Sequence, residues 1–150
     1  MRGHQLIGPG KQEIEIYQTK TKPVAGTNYT DVYKKSFEFH ERIRKKSKRR
    51  PYIRSAYFNR QKIFLGIFWS HLHAKLNYRD KTRRAKLFPC AVELIQHSRC
   101  QPFIQQSLEE PDELLYRFAG ITPDQQLFIV QIKKNMRSGG KRLISVFPTV

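Results

Sequence analysis

The sequence predicts an α+β fold, with N-terminal helices packed on one face of a C-terminal antiparallel β-meander of at least three strands. Three observations predict it. Two segments carry apolar residues at helical spacing, one from Asn59 to about Asn77 and one ending near His97. Three C-terminal segments, Leu114–Gly120, Gln126–Lys134 and Arg142–Phe147, have strand length and strand patterning. Short turn-rich connections join them, which implies antiparallel hairpins.

Each element has its own signal. Residues 1–30 hold Gly3, Gly8, Pro9, Gly10, Pro23 and Gly26, and only Ile14–Tyr17 reads as a short strand. Residues 31–50 have helical character and end in a run, Arg42 to Arg50, in which seven of nine residues are basic. Pro51 stops any helix there. Residues 1–50 therefore read as a basic arm, poorly ordered or partly helical, and residues 51–150 as one compact α+β domain. In the first helix Ile63, Phe64, Ile67, Phe68, His71 and Leu72 recur at spacings of three and four, with Leu65 and Trp69 on another side. Asp80 or Thr82 is the expected cap of the second helix, whose core stripe is Leu87, Ala91, Leu94 and Ile95. Pro89 suits only a helix start, so the regular part is expected to begin there. Residues 98–112 read as a loop.

Composition bounds the partner. Among 150 residues, 29 are Lys or Arg and 12 are Asp or Glu, a formal charge of +17. Such self-repulsion opposes folding. A polyanion explains it best, because each cation set on a phosphate releases a condensed counterion. The charge is uneven: residues 1–86 hold 22 basic against 6 acidic residues, and residues 87–150 hold 7 against 6. Arg44, Lys45, Lys46, Lys48, Arg49, Arg50, Arg54, Arg60, Arg83 and Arg84 are the candidate nucleic-acid-binding residues, with RNA the preferred partner. Tyr52, Tyr57, Phe58 and Trp69 lie among them, either as stacking surfaces for single-stranded bases or as core.

Other classes find no support in the sequence. Ile63–Trp69, the longest apolar run, is too short to span a bilayer, and Met1–Gly10 has no secretory signal. Cys90 and Cys100 lack further ligands at zinc spacing and read as reduced thiols of a cytoplasmic protein. His71 and His73, two apart on a helix, do not share a face, which speaks against a metal site. No metal or other cofactor is expected, and no phosphate-cradling glycine motif or nucleophile elbow is present.

Strand alternation groups the remaining polar residues. Leu114, Tyr116 and Phe118, then Phe128, Val130 and Ile132, then Ile144 and Val146 form apolar sets that should meet the helices. Arg117, Gln131, Lys133 and Ser145 then share the opposite face, with Leu143 and Phe147. Hairpin symmetry sets Gln131 near Ser145 and Arg117 near Ile129. Two cations, an amide and a hydroxyl on such a face suit metal-free phosphodiester cleavage, in which RNA supplies its own 2′-hydroxyl. His97, at the end of the second helix, is the candidate proton carrier, and Glu93 could orient it or act as base. Each also has a structural reading: His97 as a helix-dipole cap, Arg117 as an internal ion pair, Ser145 as a solvated edge residue.

The segments Glu93–Ser98, Leu115–Gly120, Phe128–Lys133 and Leu143–Pro148 resemble the phage-associated nucleases of the barnase, EndoU, colicin and RelE group. The resemblance covers residues 85–150. It implies helices followed by an antiparallel sheet that carries the active face, and metal-independent RNA cleavage by His97, Arg117, Lys133 and Ser145. It further implies a toxin-like protein of phage or mobile-element origin and leaves room for an inhibitor or antitoxin protein as partner. Two readings of function result: such an endoribonuclease, or a non-catalytic nucleic-acid-binding accessory protein with the same fold.

Overall fold

In the computed structural model, residues 2–7 and 13–149 are described, the first stretch by its backbone alone. The fold is α+β, with three helices and one mixed sheet of eight strands among those residues. The strands are β1 (Arg2–Ile7), β2 (Glu13–Gln18), β3 (Tyr52–Ser55), β4 (Gln61–Phe64), β5 (Phe103–Gln106), β6 (Glu113–Ile121), β7 (Leu127–Asn135) and β8 (Lys141–Pro148). The helices are α1 (Tyr29–Lys46), α2 (Gly66–Ala74) and α3 (Tyr78–His97). No helix among the described residues is long and apolar enough to cross a membrane.

The expected meander is present, since β6 pairs antiparallel with β7 and β7 with β8. The sheet as a whole is not antiparallel, which corrects the simpler expectation. Its order is β1-β2-β6-β7-β8-β4-β3, with β5 beside β6, and β2–β6 and β4–β8 are parallel pairs. Segments on the N-terminal side of residue 50 pair with the rest of the chain. Residues 16–18 pair with β6, Val24 donates its N–H to the Lys86 carbonyl, and β3 and β4 join the same sheet. For residues 1 and 8–12 the expectation of a poorly ordered arm lies outside the described residues.

Three local expectations change, each for a physical reason. The segment 61–64 is strand rather than helix: Ile63 faces Ile53 across the β3–β4 hairpin, and both are buried. A run that is apolar on every side has no period to separate strand from helix. Helix α3 starts at Tyr78 because Asn77, rather than Asp80 or Thr82, accepts the Asp80 N–H on its side chain. Pro89 sits inside that helix, where it removes one intrahelical donor, and its ring is buried. Finally, Phe103–Gln106 in the expected loop forms an edge strand on the N-terminal half of β6.

One apolar cluster joins Phe68, Trp69 and Leu72 of α2 and Leu87 to Ile95 of α3 to Tyr116, Phe118, Phe128, Val130, Ile132, Leu143 and Val146 of the meander. The side of the sheet that carries those strand residues is called the apolar face below. Gly120 lies at the tightest approach: a Cβ there would fall 2.5 Å from the Phe128 ring and 2.8 Å from Leu94. Only glycine permits that spacing. Leu143, expected on the mixed face, is fully buried instead. The cause is a bulge in β8: Gln131 faces Ser145 while its neighbour Ile132 faces Leu143, so Ile144 is the extra residue.

Candidate nucleic-acid interface and site

On the other, polar face, three rows cross the meander. Arg117, Gln131 and Ser145 are consecutive partners in the first. The observed register thus puts Arg117 opposite Gln131 rather than Ile129. Arg117 Nε donates to Gln131 Oε1 at 3.4 Å, and among the described residues it has no carboxylate partner. The internal ion pair considered for Arg117 is therefore absent there. All three side chains are half-buried.

The second row is Leu115, Lys133 and Arg142, and Glu113 begins the third opposite Asn135. The carboxylate of Glu113 is 3% exposed, accepts from Arg142 Nη2 at 2.5 Å and lies 4.0 Å from Lys133 Nζ. Lys133 is on the expected face, but it shares a carboxylate with Arg142.

Two residues that the sequence reading did not place here complete the first row. Arg84 of α3 reaches the β8 edge, where its Nη1 donates to Ser145 Oγ at 2.8 Å and lies 3.5 Å from the Val146 carbonyl. Its Nε is held by Asp80 Oδ2 at 2.9 Å, one helical turn away, and the guanidinium lies over the Phe147 ring. His71 of α2 sets Nδ1 3.2 Å from the carbonyl of Ile144, the bulge residue. A carbonyl can only accept, so Nδ1 carries a hydrogen, and in the neutral imidazole the lone pair is then on Nε2. His71 and Arg84 thus both reach β8 carbonyls, those of Ile144 and Val146, two residues apart in the chain. The sequence signal for Arg84 was its Asp80 partner at i−4. For His71 there was none, because the pairing of β8 with β4 and α2 is long-range.

His97 is not part of this group. It is exposed at the α3 terminus, where it lines clefts with Tyr17, Gln96 and Lys46 on the helix side of the molecule. Glu93 lines the same cleft as His97, but its oxygens are taken by other donors. Its carboxylate accepts from Tyr17 Oη at 2.7 Å and from the backbone N–H groups of Lys20 and Thr21. Burial alone would raise the Glu93 carboxyl, but those hydrogen bonds outweigh it and hold the group below the usual carboxylate range. Burial, with Glu93 nearby, pushes the Cys90 thiol up to about 12. Both cysteines are free and buried.

Arg44, Lys45, Lys46, Lys48, Arg49, Arg50, Arg54, Arg60 and Arg83 are all exposed. Arg44 and Arg83 are each shared with an acidic neighbour, Glu41 and Asp80. Of the four aromatics considered for stacking, Phe58 and Trp69 are core, and Tyr57 packs edge-on against Phe58 and Phe118. Tyr52 alone stays on the polar side, where Phe64 faces it across the hairpin. Among the described residues no three His, Cys, Asp or Glu side chains gather as a metal-ligand set. Comparison with protein-family models, curated proteins and solved structures finds no match to this chain.

Proposed function

We propose that the chain is an endoribonuclease that cleaves RNA without a metal, at the row formed by Arg117, Gln131 and Ser145 with Arg84 and His71 beside it. In this reading the RNA strand lies along the polar face, where Arg117, Gln131, Lys133, Arg142 and Ser145 keep part of their surface. The observation that supports the reading is the row itself, with Arg117 bonded to Gln131, Arg84 bonded to Ser145, and His71 on the carbonyl of the neighbouring Ile144. His71 takes the place that the sequence reading gave to His97.

The chemistry consumes no co-reactant, and water only exchanges protons. His71 Nε2 accepts the proton of the 2′-hydroxyl, and the resulting oxyanion attacks the adjacent phosphorus. The bond to the 5′-oxygen breaks, that oxygen takes up a proton from water while the His71 imidazolium releases one to the water, and a 2′,3′-cyclic phosphate remains. Arg117 and Arg84 stabilise the added charge on the pentacovalent phosphate, and Ser145 and Gln131 hold their geometry. The formal charge of +17 draws the polyanion to the face.

The test is cleavage of mixed-sequence RNA in EDTA, with the product ends analysed for 2′,3′-cyclic phosphate. His71→Gln should lower the rate by about 10²- to 10⁴-fold, and Arg117→Ala should abolish stabilisation of the phosphate without altering the circular dichroism. Binding without cleavage by the unmodified protein would overturn the proposal and leave the non-catalytic accessory role.

A further inference from the structure

We infer that the polar side of the β3–β4 hairpin is a base-stacking subsite that holds the single-stranded RNA flanking the scissile phosphate. The inference rests on the ribonuclease reading for the identity of the strand, but not for the stacking itself.

The hairpin has two unlike sides. Ile53 and Ile63 face each other on one and are buried in the core, which fixes the opposite side outward. There Tyr52 faces Phe64 and Arg54 faces Lys62. The two rings are half-buried, with centroids 6.1 Å apart at 65°, and the two cations are exposed. Arg50 adds a third, its guanidinium 4.3 Å above the Phe64 ring. Lys62 Nζ lies 4.6 Å from the Tyr52 centroid. None of these three cations has a carboxylate partner among the described residues. Aromatic faces ringed by unpaired cations are what single-stranded nucleic acid requires: a π surface for each base and positive charge for each phosphate. A duplex has no free base faces to offer. An exposed cation–π contact is weaker than base stacking, so an arriving base can displace the cation or slide beneath it.

The position of this surface ties it to the candidate site. β4 runs parallel to β8 with Phe64 opposite Arg142, and Arg142 is opposite Lys133, so ring, guanidinium and ammonium follow one another along a single row. Ser145 lies one row further along the meander, opposite Gln131, about 7 Å away at two residues of strand spacing because Ile144 is bulged out. Between ring and strand opens a cleft of 540 Å³ bordered by Arg50, Phe64, Ser70, Asn135 and Arg142, a volume that suits one nucleotide. The chain of an RNA cut at Ser145 thus meets Arg142 and then the two rings.

The probe is a short fluorescein-labelled all-2′-deoxy oligonucleotide of mixed sequence, which keeps bases and phosphates but cannot be cleaved. Tyr52→Leu and Phe64→Leu should each weaken its binding by roughly 5- to 150-fold, with the dependence on salt unchanged. Tyr52→Phe, which keeps the ring, should bind like the unmodified protein. Arg50→Ala should weaken binding and lower the salt slope by about 0.7. Unchanged affinity in both leucine variants, or duplex RNA bound as tightly as the single strand, would overturn the inference. Loss of binding in a variant whose thermal melt has collapsed is set aside by the Tyr52→Phe and Arg50→Ala arms, which keep the fold. If the rings matter for binding but no RNA is cut, the ribonuclease reading falls alone; if RNA is cut and the rings do not matter, the stacking subsite falls alone.

Discussion

Replacing Glu113 by glutamine should make the protein less stable and at the same time a better RNA binder. The carboxylate sits 3% exposed between Arg142 at 2.5 Å and Lys133 at 4.0 Å. Glutamine keeps the volume and one acceptor oxygen but removes the charge, so two cations face each other with nothing between them. Removing one partner of a fully buried pair costs about 3–5 kcal/mol. Arg142 and Lys133 are 30% and 21% exposed, so water screens part of the repulsion. A loss of about 2 kcal/mol is expected after that discount. For a chain of this length it corresponds to a drop in Tm of about 4–8 °C. The two cations freed from the carboxylate then become available to phosphate. Affinity for single-stranded RNA at low salt should rise, and the slope of log K against log salt should steepen by about 0.7 for one added phosphate contact. Urea titration and fluorescence anisotropy at several salt concentrations measure the two effects. A variant at least as stable as the parent with an unchanged slope would refute the assignment of Glu113 as the counter-charge of this face.

Other expectations concern the core and its titration. Gly120→Ala should cost at least about 2 kcal/mol by overpacking, because its Cβ meets Phe128 and Leu94 below van der Waals distance; a denaturation midpoint equal to the parent's would contradict the packing. His40 is 4% exposed, its Nδ1 has no hydrogen-bond partner among the described residues, and burial holds its imidazole below the ordinary value. The unfolded chain then binds the proton more readily, so stability is full above about pH 6.5 and falls as pH drops below it. His40→Phe, packed on Phe37, Trp69 and Phe88, should flatten Tm between pH 5 and 7 relative to the parent; an equal slope would assign the titration elsewhere. Glu93 acts in a separate, more acid window: its depressed carboxyl adds stability that is lost as pH falls below about 4.3. Glu93→Gln should remove that acid limb, as read from melts between pH 3 and 5.

The meander could be read from the sequence because its signals are local. Leu114–Phe118 and Phe128–Ile132 alternate, turn residues separate them, and adjacent strands joined by short turns pair with each other. The pairing of Gln131 with Ser145 followed from the same logic. What failed was long-range or isotropic. Gln61–Phe64 is part of a segment apolar all round, and only its pairing with β3 and β8 decides that it is strand. The parallel placement of β4 beside β8 brings α2, and with it His71, to the strand edge, and nothing near His71 in the chain announces this. His97 misled for the converse reason. It is close in sequence to the sheet, but α3 carries its last turn away toward Tyr17 and Lys46.

The extra residue in β8 decides which groups share a surface. In a regular strand Arg142 and Ser145, an odd number of positions apart, would point in opposite directions. Ile144 breaks the two-residue alternation, so both side chains emerge on one side while Leu143 and Val146 stay with the oil beneath. Deleting Ile144 would leave Arg142 and Ser145 two positions apart, so plain alternation would hold both outward and keep Leu143 and Val146 inward. The row therefore survives the loss of that residue, whereas a strand that became regular with all its residues present would turn either the hydroxyl or the guanidinium inward.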